Sequence, residues 1–202
     1  MISQPIGLHN HIKDSNILGD KKHLFQLLKI WKVRYQKMDI DKLFEIVPPT
    51  YHISSEDSID FRYFEQVFIL NNDQSNNLWI VKPGENSNRG RDIFVSGSFD
   101  EIREAVKVRS SLKGTTVIQK YKSDLLLYRG RKFDIRTFIL CLFIDGNCKF
   151  YWSTHGYVRT SSHQFNVQNL DAMIHLTNDA IQIQGDQYGK FEKGNKLSFH
   201  QL

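Results

Sequence analysis

Residues 132–152 constrain this chain more than any other stretch. Lys132, Asp134 and Arg136 alternate with Phe133 and Ile135, the period of a strand with one charged and one apolar face. The pattern runs directly into residues 138–144, which are apolar throughout, and Asp145-Gly146 supplies a turn that returns the chain through Cys148 to Trp152. A continuous apolar run predicts a central strand. Charges beside a central strand need a partner or a purpose, because burying them unpaired is costly. The cysteines, Cys141 and Cys148, flank the turn. With Phe143 opposite Cys148, Cys141 is offset along the ladder and is expected to point elsewhere, so both are read as buried thiols of a reducing compartment.

The remaining segments alternate helix and strand signals. Asp20 is a helix cap ahead of Leu24, Leu27, Leu28, Trp31, Tyr35 and Met38, which recur at offsets of three and four. Pro48-Pro49 enforces an extended connector. A second helix is predicted over 56–70, with Ile59, Tyr63, Val67 and Leu70 on one face and Ser54 with Asp57 resembling a capping box. Residues 78–81 read as a buried strand that enters a polar loop holding Lys82, Gly84, Ser87, Arg89 and Gly90, and residues 93–95 read as the returning strand. Ser98 and Glu101 cap a helix carrying Ile102, Ala105 and Val106, and residues 115–121 form a β-branched strand. The resulting class is α+β, a mixed sheet with hairpins and flanking helices.

Such a fold needs a core, and the 14 Phe, 8 Tyr and 3 Trp among 202 residues supply one while excluding a disordered or low-complexity chain. Lys and Arg exceed Asp and Glu by 27 to 22, so anionic partners are favoured: nucleotide, nucleic acid, acidic protein tails or a membrane surface. No apolar run reaches membrane-spanning length, and the first residues lack a basic region leading into an apolar signal core. A cytosolic location is expected, with no membrane partner. No nucleic-acid motif accompanies the charge, which ranks that class last.

Two constellations carry chemistry. Lys82 and the Gly84–Gly90 loop bring a fixed cation, backbone amides and a hydroxyl toward a polyphosphate, without the Gly-Lys-Ser/Thr ending of a P-loop. The charged face of Lys132, Asp134 and Arg136, joined by Arg159, suits phosphate oxygens and a carboxylate, since an arginine fork binds either bidentately. The histidines show no zinc spacing and read as surface residues, and no metal ligand is proposed among them.

In order along the chain, Asn10-His11, Leu18-Gly19-Asp20-Lys21-Lys22, Trp79-Ile80-Val81-Lys82-Pro83-Gly84, Ser87-Asn88-Arg89-Gly90, Val117-Ile118-Gln119-Lys120-Tyr121, Gly130-Arg131-Lys132-Phe133-Asp134-Ile135-Arg136, Tyr157-Val158-Arg159 and His175-Leu176-Thr177-Asn178 resemble the tubulin-tyrosine ligase-like family. The resemblance implies a partial ATP-grasp-like fold and ATP-dependent ligation of an amino acid. It implies nucleotide contacts from Lys21, Lys82, Ser87, Arg89, Gly90, Lys132, Asp134 and Thr177, and an adenine pocket lined by Gln119, Lys120 and Tyr121. Arg136, Arg159 and Asn178 would serve the acyl phosphate and the incoming amino acid. Within one domain of this type, residues 1–74 would form a helical lobe, 75–122 the nucleotide flap and 123–202 an incomplete catalytic lobe.

The implied reaction activates a glutamate carboxylate of an acidic tubulin tail, which the amine of free glycine or glutamate then attacks, with cations stabilising the transferred phosphoryl. The Asn10-His11 and Lys82–Asn86 contexts are closer to glycylase-type relatives. Microtubules would be the partner, and cytoplasm, cytoskeleton and the cilium or flagellum the expected locations. Two departures stand out. Asp92 occupies a position where relatives usually carry Gly, setting a carboxylate near the triphosphate. The Glu-x-Asn that holds Mg2+ in the family has no counterpart of that spacing, since Glu192 and Asn195 stand three apart. The chain resembles the front part of a catalytic domain, and a noncatalytic member that binds nucleotide or microtubule tails is the alternative.

Overall fold

The computed structural model describes residues 15–35, 47–71, 77–85, 89–144 and 146–202. Asn10-His11, Ser87, Met38 and Asp145 lie outside the described residues. Two helices open the chain, α1 (Asn16–Gly19) and α2 (Lys21–Tyr35). Asp20 caps α2 as its sequence predicts, its Oδ1 accepting from the backbone N–H of Lys22 at 3.0 Å and of His23 at 3.2 Å. The inward face differs from the expected stripe: Phe25 is buried, while Leu24 and Leu27 are 39% and 40% exposed. Lys22 reaches Glu85 and Gln26 reaches His52, and these contacts rotate Phe25 inward.

Strand β1 (Thr50–Ile53) is followed by α3 (Ile59–Leu70). Ser58, not Ser54, caps this helix by accepting from the backbone N–H of Phe61. Its buried residues are Phe61 and Phe64, whereas Ile59, Tyr63 and Leu70 face outward. The aromatic series wins because it finds an aromatic partner. Phe64 meets Trp79 edge-to-face at 5.0 Å between ring centroids and stacks on Phe99 at 6.1 Å.

Next come β2 (Trp79–Pro83), β3 (Phe94–Ser96), α4 (Phe99–Ser111) and β4 (Thr116–Lys120). Ser98 caps α4, but Glu101 turns to the Ser96 hydroxyl at 2.6 Å instead of closing a capping box. The four strands form one antiparallel sheet in the order β1-β4-β2-β3. One face of it buries Ile53, Trp79, Val81 and Ile118 against Phe61, Phe64, Ile102 and Val106 of the two helices.

Strand β5 (Arg131–Arg136) pairs with β8 (Tyr157–Gln164), which pairs with β9 (Lys196–Ser198), giving a second antiparallel sheet. Two single-turn helices, α5 (Ala172–His175) and α6 (Asp179–Gln182), lie between β8 and β9 in sequence. The fold is therefore α+β, and every pairing between the described strands is antiparallel.

The apolar run does not become a central strand. It forms β6 (Ile139–Ile144), which pairs only with β7 (Asn147–Trp152) in a separate two-stranded hairpin. The chain leaves strand geometry at Thr137-Phe138, so β6 does not extend the β5 ladder. Phe143, Phe150 and Trp152 stand 64%, 70% and 63% exposed. The expected pairing of Phe143 with Cys148 is present, but the cysteines are neither buried nor apart: Cys148 is exposed, and the sulfurs lie 3.1 Å from each other. On a twisted two-stranded ribbon, diagonal neighbours on one face converge, and that brings Cys141 to Cys148.

These positions predict unequal costs for one chemical change. Phe64→Ala should destabilise the chain by about 3–5 kcal/mol through a cavity beside Trp79. Phe150→Ala on the hairpin should stay within about 0.5 kcal/mol. Urea unfolding of both variants measures the difference, and equal losses would place the hairpin inside the core.

Candidate functional site

Strand alternation assigns the two faces of the first sheet. Trp79 and Val81 enter the core, so Lys82 projects from the opposite face, beside Gln119 of β4, whose neighbour Ile118 is buried. Lys82 Nζ donates to Gln119 Oε1 at 2.7 Å, and Gln119 Nε2 donates to Thr50 Oγ1 at 2.8 Å. Thr50 Oγ1 in turn donates to the Pro48 carbonyl at 2.6 Å. The amide of Gln119 is thereby held in one orientation, with its oxygen toward the ammonium.

The second cation comes from the other sheet. Lys132 Nζ donates to the His175 carbonyl at 2.8 Å and to the Tyr121 hydroxyl at 3.2 Å. Tyr121 in turn bonds His175 Nδ1 at 2.7 Å, and His175 Nε2 meets the Asn169 carbonyl at 2.8 Å. Since the Asn169 oxygen only accepts, Nε2 carries the proton and Nδ1 accepts from the tyrosine. His175 is buried rather than a surface histidine, and burial lowers its pKa. A sequence scan for zinc spacing misses it because its partners are a tyrosine and a carbonyl.

Lys82 and Lys132 share one electrostatic environment. Burial, with the nearby Lys21 charge, pulls Lys82 down from 10.5 to about 8. Burial also brings Lys132 to about 8, aided by the Lys82 charge and opposed by Asp134. Lys21 is lowered as well, by burial first, with Asp20 raising it and Arg109 lowering it. Lys82 thus feels the charge of Lys21 and acts on that of Lys132, and such a succession of cations attracts a polyanion.

The loop after β2 is fixed at its base. The Gly84 N–H donates to the Thr115 carbonyl at 2.8 Å, and a Cβ on Gly84 would lie 2.1 Å from Thr115 Oγ1, so only glycine fits. Glu85 accepts from Lys22 at 2.8 Å, from the Thr115 N–H at 2.8 Å and from its hydroxyl at 2.6 Å. Burial alone would raise the Glu85 pKa, but the bonds from Lys22 and Thr115 outweigh it and hold the carboxyl at about 2. Farther along, Arg89, Gly90 and Asp92 have φ of 64°, 83° and 53°. Asp92 thus adopts a left-handed conformation that glycine favours but aspartate tolerates, and Arg109 fastens its carbonyl at 2.5 Å. Gly90 lies against the second half of the chain: a Cβ there would come within 3.0 Å of the Asn178 side chain.

Beside that contact is a cavity of about 500 Å3 lined by Arg89, Arg159, Asn178, Asp179, Ala180 and Ile183. It unites Arg89, Arg159 and Asn178 from distant segments. Thr177 is buried in the turn that precedes α6. Two expectations change here. Arg159 is not an open fork: its Nε and one terminal nitrogen bond both oxygens of Asp134, at 2.9 and 2.6 Å, and Asp134 keeps it charged by raising its pKa. Asp134 therefore faces Arg159, its cross-strand partner, with Arg136 at 3.7 Å on the other side. Lys120 also departs from the adenine-pocket expectation. Alternation places its side chain with Trp79, the ammonium lying 5.0 Å from that ring and 3.4 Å from Asn77 Oδ1, while Gln119 and Tyr121 stay with the lysines.

Sequence reading missed several residues that hold this arrangement. Arg131 is buried and paired with both carboxylate oxygens of Glu192, under the ring of Phe191. Gln182 bonds Ser162, Met173 and Leu176, and Asn195 bonds Thr160 and Ser162. Arg131 stood within the Gly130–Arg136 motif without a role of its own, and for Gln182 the one signal was its polarity in a segment bound for the interior. Glu192 and Asn195 are thus occupied structurally, and among the described residues no three His, Cys, Asp or Glu side chains are grouped to hold a metal ion. Nor is any helix of the described residues long and apolar enough to cross a membrane.

Comparison with known proteins gives this geometry a context. The chain is 39% identical over 109 residues to the tubulin monoglycylase TTLL3 of Mus musculus, covering 52% of this chain and 11% of that one. It is 39% identical over 111 residues to tubulin glycylase 3B of Drosophila melanogaster, covering 54% and 14%. A probable tubulin polyglutamylase, TTLL2 of Mus musculus, matches over 187 residues at 34% identity, covering 91% and 32%. The chain thus spans about a third or less of the length of these relatives. Among solved structures, the C-terminal domain of K. lactis Pby1, an ATP-grasp enzyme, superposes with a TM-score of 0.48 at 14% identity, over 89% of this chain and 47% of that one. The sequence pattern of the tubulin-tyrosine ligase family matches residues 2–202, and the chain belongs to that family.

Proposed function

We propose that this chain forms the nucleotide-holding part of an ATP-dependent ligase that joins an amino acid, glycine or glutamate, to glutamate carboxylates of tubulin tails through an acyl phosphate. The observation that carries the reading is the pair of desolvated ammoniums, Lys82 and Lys132, brought together from separate sheets with Lys21 beside them. Desolvated cations fixed by hydrogen bonds are preorganised for phosphate oxygens and need no rearrangement when charge moves during phosphoryl transfer. ATP would supply the γ-phosphoryl that makes a carboxylate reactive. Lys82, Lys132 and Lys21 would hold its phosphates, Gln119 and Tyr121 would border it, and Arg89 and Gly90 would cover it from the loop.

The cavity bounded by Arg89, Arg159, Asn178 and Asp179 suits the two carbonyl reactants. Arg89 and Arg159 provide positive charge toward a carboxylate, while Asp179, whose Oδ1 already accepts from Tyr188 at 2.8 Å with Lys196 at 3.4 Å, would have to share its carboxylate with an incoming ammonium group. The basic net charge of +5 fits an acidic tail as partner. Mg2+ does not fit the described residues: Asp134 is neutralised by arginines, and no acidic group of the required number is assembled. That observation favours a second reading, a family member that binds nucleotide or microtubule tails without turnover.

Labelled glycine and labelled glutamate, offered separately with ATP, magnesium and microtubules, decide between the two. Incorporation of one label identifies the amino acid, and ATP binding without incorporation selects the second reading. Failure to bind ATP at all would overturn the ligase reading and leave of the second only binding to microtubule tails, which sedimentation with microtubules tests.

The lysines make a sharper prediction. Lys132→Met should weaken ATP binding by about 10- to 100-fold, the worth of a lost charge-assisted hydrogen bond, as read by calorimetry. The melting temperature should fall little, because a desolvated charge is removed with the bonds it makes. An unchanged Kd would show that Lys132 does not face the nucleotide.

The titration has a definite direction. Both lysines lose their charge near pH 8 when folded and at about 10.5 when unfolded, so between these values the unfolded chain holds more protons. Their contribution to stability therefore rises from pH 8 to 10.5. Affinity for ATP should move oppositely and fall over the same window as the ammoniums neutralise. Binding and urea titrations at pH 7 and 9.5 check the two slopes, with Lys82→Met/Lys132→Met expected to flatten both.

A further inference from the structure

We infer that Cys141 and Cys148 form an oxidisable dithiol, a site of reversible intramolecular disulfide formation at the surface of the β6–β7 hairpin. The two sulfurs lie 3.1 Å apart, nearer than non-bonded sulfur atoms ordinarily approach, and either thiol can donate to the other. The ladder explains why. Phe143 is opposite Cys148 and Cys141 is opposite Phe150, so all four side chains share one face and the cysteines are its diagonal neighbours. Only about 1 Å of approach separates the contact from a covalent bond.

Access and freedom to move come from the same element. Cys148 is exposed and Cys141 is half-buried, so a small oxidant reaches the pair without opening the fold. β6 and β7 bond only to each other among the described strands, and Gly146 at the turn has a φ of 77° with nothing within 4 Å of its Cβ position. The hairpin can thus tighten across its diagonal without disturbing β5, which carries Lys132 and Asp134. Asn147, Lys149 and Tyr151 alternate to the opposite face, and Trp152 is on the cysteine face at the far end of β7.

With a disulfide such as oxidised glutathione as oxidant, the step balances in two exchanges. One cysteine, as thiolate, attacks a glutathione sulfur, forming a mixed disulfide and expelling one glutathione thiolate. The second cysteine, deprotonated, attacks the protein sulfur of that mixed disulfide. The Cys141–Cys148 bond forms, the bond to glutathione breaks, and a second glutathione thiolate leaves. Two electrons pass from the cysteines to the glutathione disulfide, and the two cysteine protons go to solvent or to the released thiolates. The hydrogen bond with Cys148 raises the Cys141 pKa, so closure should quicken with rising pH.

The test is intact-mass analysis of the reduced full chain treated with oxidised glutathione. The expected product is a monomer two hydrogens lighter, with no glutathione retained, and reverting on addition of a reductant. Cys141→Ser and Cys148→Ser should each retain one glutathione, because the resolving thiol is gone. Juxtaposition by the fold should make closure at least about tenfold faster in buffer than in concentrated urea. Stable glutathione on the unmodified chain, disulfide-linked dimers in place of the internal bond, or equal rates folded and unfolded would each overturn the assignment.

Discussion

The arrangement depends on a single hydrogen-bonded knot. Tyr121 follows the last strand of the first sheet, Lys132 lies on the first strand of the second, and His175 closes the helix beyond β8. The tyrosine hydroxyl accepts from the lysine and donates to the imidazole, and the lysine also bonds the histidine carbonyl. Tyr121 therefore spends its proton and a lone pair at once, and burial raises its pKa so that it remains a phenol. With each member satisfied, the knot sets the lysine at a fixed place relative to Lys82 across the interface. Neither sheet alone could position both cations.

The cost of that placement falls on two desolvated charges. Lys82 and Lys132 keep their protons at neutral pH by donating to Gln119 and to the knot, while burial and mutual repulsion work against them. A chain selected only for stability would fill these positions with neutral side chains. The contrast with Arg131 is instructive. Arg131 is more deeply buried, yet it meets a carboxylate with both terminal nitrogens and so needs no outside anion. Two kinds of buried cation thus occur on one strand, one neutralised by a carboxylate and one held by neutral acceptors.

Legibility in the sequence followed the range of the interactions. Local chemistry was readable: Asp20 and Ser98 as caps, the β5 alternation and the Phe143–Cys148 pairing all rest on neighbours a few residues apart, whereas Lys82, expected in the loop after residue 81, is still within β2 opposite Val117. Choices made by distant contacts were not. Whether α3 turns its Phe61 face or its Tyr63 face inward was decided by Trp79, and the exposure of β6 was decided by the break at Thr137-Phe138. The candidate site shows the same division. Motif order pointed to Lys82, Lys132, Arg159 and Asn178 as candidates, but nothing local announced that Arg159 would take both oxygens of Asp134 or that Lys120 would lie over Trp79.

That Arg159–Asp134 pair bears on how a substrate would be received. An arginine already held by a bidentate carboxylate presents a reduced charge to the cavity, and a ligand carboxylate must either share the guanidinium edge or displace Asp134. Sharing is geometrically available, since Arg159 spends its Nε and one terminal nitrogen on Asp134 and retains the other terminal nitrogen. Displacement would free Asp134 toward Arg136, at 3.7 Å, and toward Lys132, whose charge its carboxylate already supports. Either route makes Asp134 a positioning residue that sets how much positive charge Arg159 offers. The carboxylate expected to face the nucleotide from its place on a charged strand is thus the one that restrains the arginine opposite it.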